Sequence, residues 1–183
     1  MTHAVRRRLF VVVTAALLGG CAAPERADEK PAAATETTII IVRHAEKADA
    51  SADPALSEAG RERAARLGAA LRDAGVRTVF VSDRKRTRET AELAMAAWGA
   101  GVPTIKEYVA TANAGAVAAM VRSEAPGSTV LVVGHSNTIS PLLRSLGGWD
   151  EPPLSESEFD RMYVVVLRTP GAATLVRAAY PPR

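Results

Sequence analysis

A chain of 183 residues, 48% hydrophobic and 23% charged, has the length of about one domain and the composition of a folded globular protein, which excludes a disordered one. Its net charge of +3 does not mark an acidic partner: three of the 23 basic residues, Arg6, Arg7 and Arg8, sit in an acid-free first twenty, leaving 20 bases against 20 acids. With that balance, and with only 4% aromatic residues to stack on bases, nucleic-acid binding has no compositional support.

The chain opens with MTHAVRRRLFVVVTAALLGGC, a basic start, an apolar stretch from Leu9 to Leu18 and small residues before a cysteine. That is the layout of a secretory signal over residues 1–20, and its apolar run is short for a membrane span. Leu18-Gly19-Gly20-Cys21 resembles the bacterial lipobox, in which the cysteine becomes the lipid-modified first residue of the mature protein. Cys21 is the chain's single cysteine, so no internal disulfide can form and lipidation is its economical use. RRRLFV also resembles a twin-arginine motif, which leaves the export route open between that and the general secretory one. Ala22 rather than Asp after Cys21 points, by resemblance to enteric sorting rules, to the outer membrane where the host has one. The expectation is an exported protein, lipid-anchored on the periplasmic side.

Residues 21–36 then read as the lipidated cysteine and a flexible tether, with no apolar periodicity; as a flexible coil it spans about 20 Å. The folded domain is expected over 37–183. Thr37 to Val42 is a continuous apolar or β-branched run, as in a strand buried on both faces of a parallel sheet. Ser57 can cap a helix carrying Ala64, Leu67 and Leu71, with Gly75 beyond its end. VRTVFVS (76–82) reads as a strand and RKRTRETAELAMAAW (84–98) as a helix. A strand at Thr104–Tyr108 and a helix at 114–124 follow. STVLVVGH (128–135) is another apolar strand, followed by a helix over 137–146. RMYVVVL and ATLVRAAY, joined through Pro170-Gly171, predict an edge hairpin. This alternation predicts an α/β fold, a three-layer α/β/α sandwich with a mainly parallel central sheet.

In such sheets ligands bind beyond the carboxyl ends of the strands. Arg43 and His44 stand at one such end and Gly134 and His135 at another. If the two strands are neighbours, the two histidines face each other. The third histidine, His3, lies in the signal. Arg86 opens the second helix, with Arg84, Lys85 and Arg88 beside it as either further site residues or a solvated basic face. Cationic groups converging with two imidazoles beside helix N-termini suit a phosphate-like anion. They suit a metal poorly: two arginines repel a divalent cation and no close-spaced ligand cluster exists.

IIIVRHAEK, LSEAGRERA, VSDRKRTRETA and VLVVGHSNT, in that order, resemble the histidine phosphatase superfamily, also called the phosphoglycerate mutase-like family, in its RHAEK subgroup; the resemblance runs from about Thr38 to Tyr180. It implies that His44 is the nucleophile that becomes phosphorylated and that Arg43, Arg86 and His135 bind the phosphoryl group, with no cofactor or metal. Ala45 stands where many relatives carry glycine, and Asp83 where proline is common. The general acid is the open point. Glu107 lies roughly where the mutase branch has its acidic residue, though without the surrounding motif, and Glu46 is the other candidate.

The resulting expectation is a metal-independent phosphomonoester hydrolase acting through a phosphohistidine. The rivals are a non-catalytic phosphate-binding lipoprotein and mutase-type transfer. Specificity is assigned to segments 48–56, 107–114 and 147–158. Trp149 and DEPPLSESEFD are read as a packed loop and a solvated face, with shaping of the site's mouth as their other use. Partners are a small-molecule or peptide phosphoester and, through the anchor, a membrane; oligomeric state is unreadable from the sequence.

Overall fold

The computed structural model describes residues 35–99, 101 and 103–180; the expected signal, Cys21 and the tether up to residue 34 lie outside them. Ten elements follow in order: β1 (Thr35–Arg43), α1 (Glu58–Ala70), β2 (Val76–Ser82), α2 (Lys85–Met95), β3 (Thr104–Tyr108), α3 (Ala114–Glu124), β4 (Thr129–Gly134), α4 (Ser136–Gly147), β5 (Arg161–Thr169) and β6 (Ala173–Ala179). They form a six-stranded sheet in the order β3-β2-β4-β1-β5-β6. The first four strands run parallel, and β5 and β6 are antiparallel to their neighbours. The expected late hairpin is there, at the sheet's β6 edge.

Period-two alternation divides the central strands between two cores. Ile39 and Ile41 of β1, Phe80 of β2, and Val130 and Val132 of β4 face α3 and α4, against Val117, Val121 and Leu143. Ile40, Val42, Val79, Val81, Leu131 and Val133 face α1 and α2, against Leu67, Leu71, Ala91 and Ala94. Both faces are therefore covered, as a parallel sheet requires. β1 begins two residues before the expected Thr37 because β5 is long enough to pair with it: Thr35 and Glu36 lie opposite Thr169 and Arg168, and Arg168 Nε bonds Glu36 Oε2 at 3.0 Å.

Local chemistry fixes the helix ends. The Ser57 hydroxyl accepts from the Gly60 amide at 3.0 Å, the capping bond expected at the start of α1. Gly148, at φ 79°, closes α4 in the left-handed conformation, where glycine carries no Cβ penalty. α1 and α2 pack backbone to backbone at Gly68, where an added Cβ would stand 2.3 Å from Ala94 O; Trp98 Nε1 donates to Gly68 O across the same contact at 2.8 Å.

Gly68→Ala is expected to force the two helices apart and destabilise the domain by about 2 kcal/mol, lowering Tm by roughly 4–8 °C. Thermal unfolding followed by circular dichroism measures it, and an unchanged Tm would contradict the packing described.

Candidate active site

The site is made by one strand pairing. β1 and β4 are parallel neighbours with Arg43 opposite Gly134, so the chain leaves both strands at the same height. The His44 amide donates to Gly134 O at 2.9 Å, extending the ladder by one residue. His44 and His135 thereby meet edge to face, ring centroids 5.3 Å apart and planes at 61°. Both rings are buried, and His135 is the N-cap residue of α4.

Hydrogen bonds settle which ring nitrogens carry hydrogen. His44 Nδ1 lies 2.7 Å from Ala45 O, and a carbonyl only accepts, so Nδ1 holds the hydrogen and Nε2 carries a lone pair. Ala45 is held in turn by α2, its amide donating to Thr90 Oγ1 at 3.1 Å. Arg86 Nη2 stands 3.4 Å from His135 Nδ1. Arginine can only donate, so the His135 hydrogen is on Nε2, which meets Ser82 Oγ at 2.9 Å; Ser82 Oγ continues to Thr87 Oγ1 at 3.0 Å. In this tautomer His135 turns no N–H toward Arg86. The donor role expected for it requires the hydrogen on Nδ1, which the Ser82 hydroxyl permits because it can donate as well as accept.

Electrostatics keep both imidazoles neutral. Burial, opposed by the Ala45 bond and reinforced by His135, Arg86 and Arg43, lowers the pKa of His44 to about 3. Burial, and then the charges of Arg86, Arg84 and Arg43, lowers that of His135 to about 4. An unprotonated Nε2 on a neutral ring is a competent nucleophile.

The two arginines are brought to the same place. Arg43 is 1% exposed; its Nη1 donates to Ser155 O at 2.7 Å and Glu158 O at 3.1 Å, and its Nη2 to Glu156 Oε2 at 3.0 Å. Its guanidinium lies 4.1 Å over the ring of Phe159, which is itself 6.2 Å from the His44 ring. Arg86 has Asp53 3.8 Å from its Nη1. Both arginines keep a buried Nε without an acceptor. An orphaned buried donor costs roughly 1–3 kcal/mol, which an acceptor on a bound ligand could offset.

Other expectations fall away from this centre. Glu107 sits on β3, separated from β1 by β2 and β4, and its Oε2 accepts from Arg88 Nη2 at 2.6 Å. Tyr108, its neighbour, packs in the core on the α3 and α4 side, so alternation turns Glu107 to the face where Arg88 stands. The structure therefore does not bring Glu107 to the imidazoles. Arg88 belongs to that surface pair and to Glu92. Glu46 is gripped by Arg63, whose Nε lies 2.9 Å from each carboxylate oxygen. Segment 150–160, read as a packed loop and a solvated face, instead supplies the acceptors and ring that hold Arg43. Tyr180, the residue after β6, fixes that segment, its hydroxyl donating to Phe159 O at 2.5 Å. Beside His135, Tyr108, Asn113, Val117, Gly134, Thr138 and Leu142 help line a crevice of about 240 Å³.

The chain that forms this site resembles known proteins over part of its length. Residues 39–109 match the family model of the histidine phosphatase superfamily (branch 1). A curated protein named "Probable phosphoglycerate mutase GpmB", from Erwinia tasmaniensis, is 36% identical over 77 residues, a match covering 37% of this chain and 36% of that protein. The chain thus spans about a third of that relative's length. Among solved structures, the protein histidine phosphatase SixA complexed with tungstate superposes with a TM-score of 0.63 at 20% identity, covering 78% of this chain and 96% of that one. Phosphoglycerate mutase from Bacillus anthracis str. Sterne superposes with a TM-score of 0.61 at 18% identity, covering 79% and 93%. The fold is that of the phosphoglycerate mutase-like proteins, and the model match together with these neighbours supports a place in the histidine phosphatase superfamily.

The lowered histidine pKa values carry a stability consequence. Between about pH 6.5 and 4 the unfolded chain binds protons at these positions that the folded one refuses, so stability rises with pH through that window and falls on acidification. Each histidine contributes up to about 1.4 kcal/mol per pH unit there. Urea unfolding at the two ends of the window is expected to show the loss, and His135→Gln to flatten it; an equal slope in the variant would contradict the buried neutral ring.

Proposed function

We propose that the protein is a metal-independent phosphomonoester hydrolase working through a phosphohistidine on His44. The observation that carries this is the His44 Nε2 lone pair, fixed by the Ala45 bond, facing His135 beside two guanidiniums with unsatisfied buried Nε–H groups. His44 attacks phosphorus, the alcohol leaves, and water then cleaves the P–N bond. Arg43 and Arg86 supply the positive charge for the equatorial oxygens that Mg²⁺ supplies in kinases. A structural neighbour was solved with tungstate, a tetrahedral oxyanion, which supports a phosphate-like anion as ligand of this fold.

Hydrolysis is preferred over mutase transfer because residues 109–113 alone connect β3 to α3, leaving little chain on that side to enclose and reorient a phosphorylated intermediate. The export reading belongs here too. Residues 1–20 as a signal and Cys21 as a lipid anchor would present the domain on the periplasmic side of the envelope. Among the described residues no helix is long and apolar enough to cross a membrane.

Hydrolysis of p-nitrophenyl phosphate is expected to survive EDTA and to vanish in His44→Ala, with acid-labile label trapped on His44 of the wild type during turnover. Arg86→Ala is expected to lower kcat/KM by about 10²–10³-fold. Because His44 stays neutral to about pH 3, activity should not fall on acidification through pH 6.5 as it would for an unperturbed histidine. Activity lost to EDTA, or retained by His44→Ala, overturns the reading. For the anchor, Cys21→Ser is expected to move the protein from the membrane fraction to the soluble exported fraction, and continued membrane attachment would remove the lipid claim.

A further inference from the structure

A phosphohistidine mechanism needs a proton for the leaving oxygen, and the carboxylates around the site differ in what they are already doing. Glu107 is paired with Arg88 and Glu46 with Arg63. Asp83 accepts from the Ala110 amide at 2.9 Å, and Asp53 from the Lys85 amide at 3.0 Å. Glu156 is placed otherwise. Its Oε2 accepts from Arg43 Nη2 at 3.0 Å, and its Oε1 lies 3.3 Å from the Ser136 hydroxyl. Arg43 immediately precedes one catalytic imidazole and Ser136 immediately follows the other. The carboxylate therefore bridges the chain positions flanking both rings, from a segment outside any helix or strand, with its side chain 78% exposed.

From this geometry we infer that Glu156 is the acid and base of the reaction, protonating the leaving oxygen and then deprotonating the attacking water. The inference rests on the phosphohistidine reading above and adds to it the residue that the sequence left open. In the free site the groups facing Glu156 are Arg43 from β1, Lys47 from the segment after it and Ser136 from α4; the Arg43 charge, ahead of the others, holds its carboxyl below the usual carboxylate range. A phosphate dianion competes for that guanidinium. The carboxylate then loses its strongest cationic partner and gains an anionic neighbour, and both changes raise its proton affinity. Being exposed, it takes the proton from solvent as the substrate arrives.

The two steps then balance. His44 Nε2 forms a bond to phosphorus while the P–O bond to the alcohol breaks, its electron pair going to oxygen, which takes the Glu156 proton. In the second step the Glu156 carboxylate takes a proton from water as that oxygen bonds phosphorus and the P–N electron pair returns to Nε2. Free phosphate, neutral His44 and protonated Glu156 result, and release of phosphate lets the carboxyl give up its proton and return to Arg43.

The test is Glu156→Gln, which keeps a hydrogen-bonding side chain on an exposed loop but cannot transfer a proton. With benzyl phosphate, whose alkoxide is a poor leaving group, kcat should fall on the order of 10²-fold. With p-nitrophenyl phosphate, whose phenolate leaves unaided, the rate of His44 phosphorylation, read from the p-nitrophenol burst or from kcat where no burst appears, should fall only about threefold or less. An equal loss of the phosphorylation rate on both substrates, or a lower KM on both with kcat unchanged, overturns the inference and leaves Glu156 a mere occupant of the anion site. Calorimetry of sulfate binding at mildly acidic pH, in two buffers of different ionisation enthalpy, gives a readout without turnover. Proton uptake by the wild type that Glu156→Gln lacks is expected, and no uptake, or no sulfate binding, overturns the inference. Absence of p-nitrophenyl phosphate hydrolysis by the wild type would instead sink the phosphohistidine reading itself, while the calorimetry still decides whether this carboxyl gains a proton when an anion binds.

Discussion

The parallel pairing of β1 with β4 is the constraint on which the site depends. Their register puts Arg43 opposite Gly134 and lets the His44 amide continue the ladder to Gly134 O. Two imidazoles far apart in the chain thus come within 5.3 Å of each other. A slip of one residue would turn one ring to the opposite face of the sheet. Such a slip is blocked by the sheet itself, since Ile39 and Ile41 would exchange cores with Ile40 and Val42. Packing of the buried strands is thereby also what aligns the site.

Around that pairing the protein combines burial, which strips charge from the histidines, with guanidiniums that keep theirs. Desolvation is the leading cause of the lowered pKa of both rings. The same burial would be costly for Arg43 were it not met by two carbonyls, a carboxylate and an aromatic face from segment 155–159. A buried charge is tolerated when its hydrogen bonds are met. The Nε atoms left out of that arrangement mark where a ligand still has something to supply. Local bonds support the rings in the same way: Ala45 fixes the tautomer of His44, and Ser82 with Thr87 gives His135 a hydroxyl chain of either polarity.

Much of this was legible in the chain. The alternation of apolar strands with capped helices gave the element order, because burial on both faces and 3.6-residue periodicity are written locally. Ser57 sits at a helix start for a reason its own chemistry supplies. His44 and His135 could be singled out since each polar residue ended an apolar run, and in a parallel sheet such ends share one edge. Glu107 was placed at the site by resemblance to the mutase branch, and only the strand order β3-β2-β4-β1 and its pair with Arg88 show that it lies on a strand separated from β1 by two others.

Segment 150–160 shows the other limit. Its acidic, proline-containing sequence is that of a solvated loop, and no periodicity distinguishes Glu156 from Glu151 or Glu158. Yet Glu156 meets Arg43, Phe159 lies under the same guanidinium, and Tyr180 ties that stretch to β6. The sequence by itself determined which segments would be strands and helices, and that two histidines would stand at strand ends, because those outcomes follow from residues close together in the chain. Which carboxylate reaches which arginine was decided only by tertiary structure: the partners of Arg43 lie more than a hundred residues away, and loop contacts over that separation are chosen by the packing of the whole sheet.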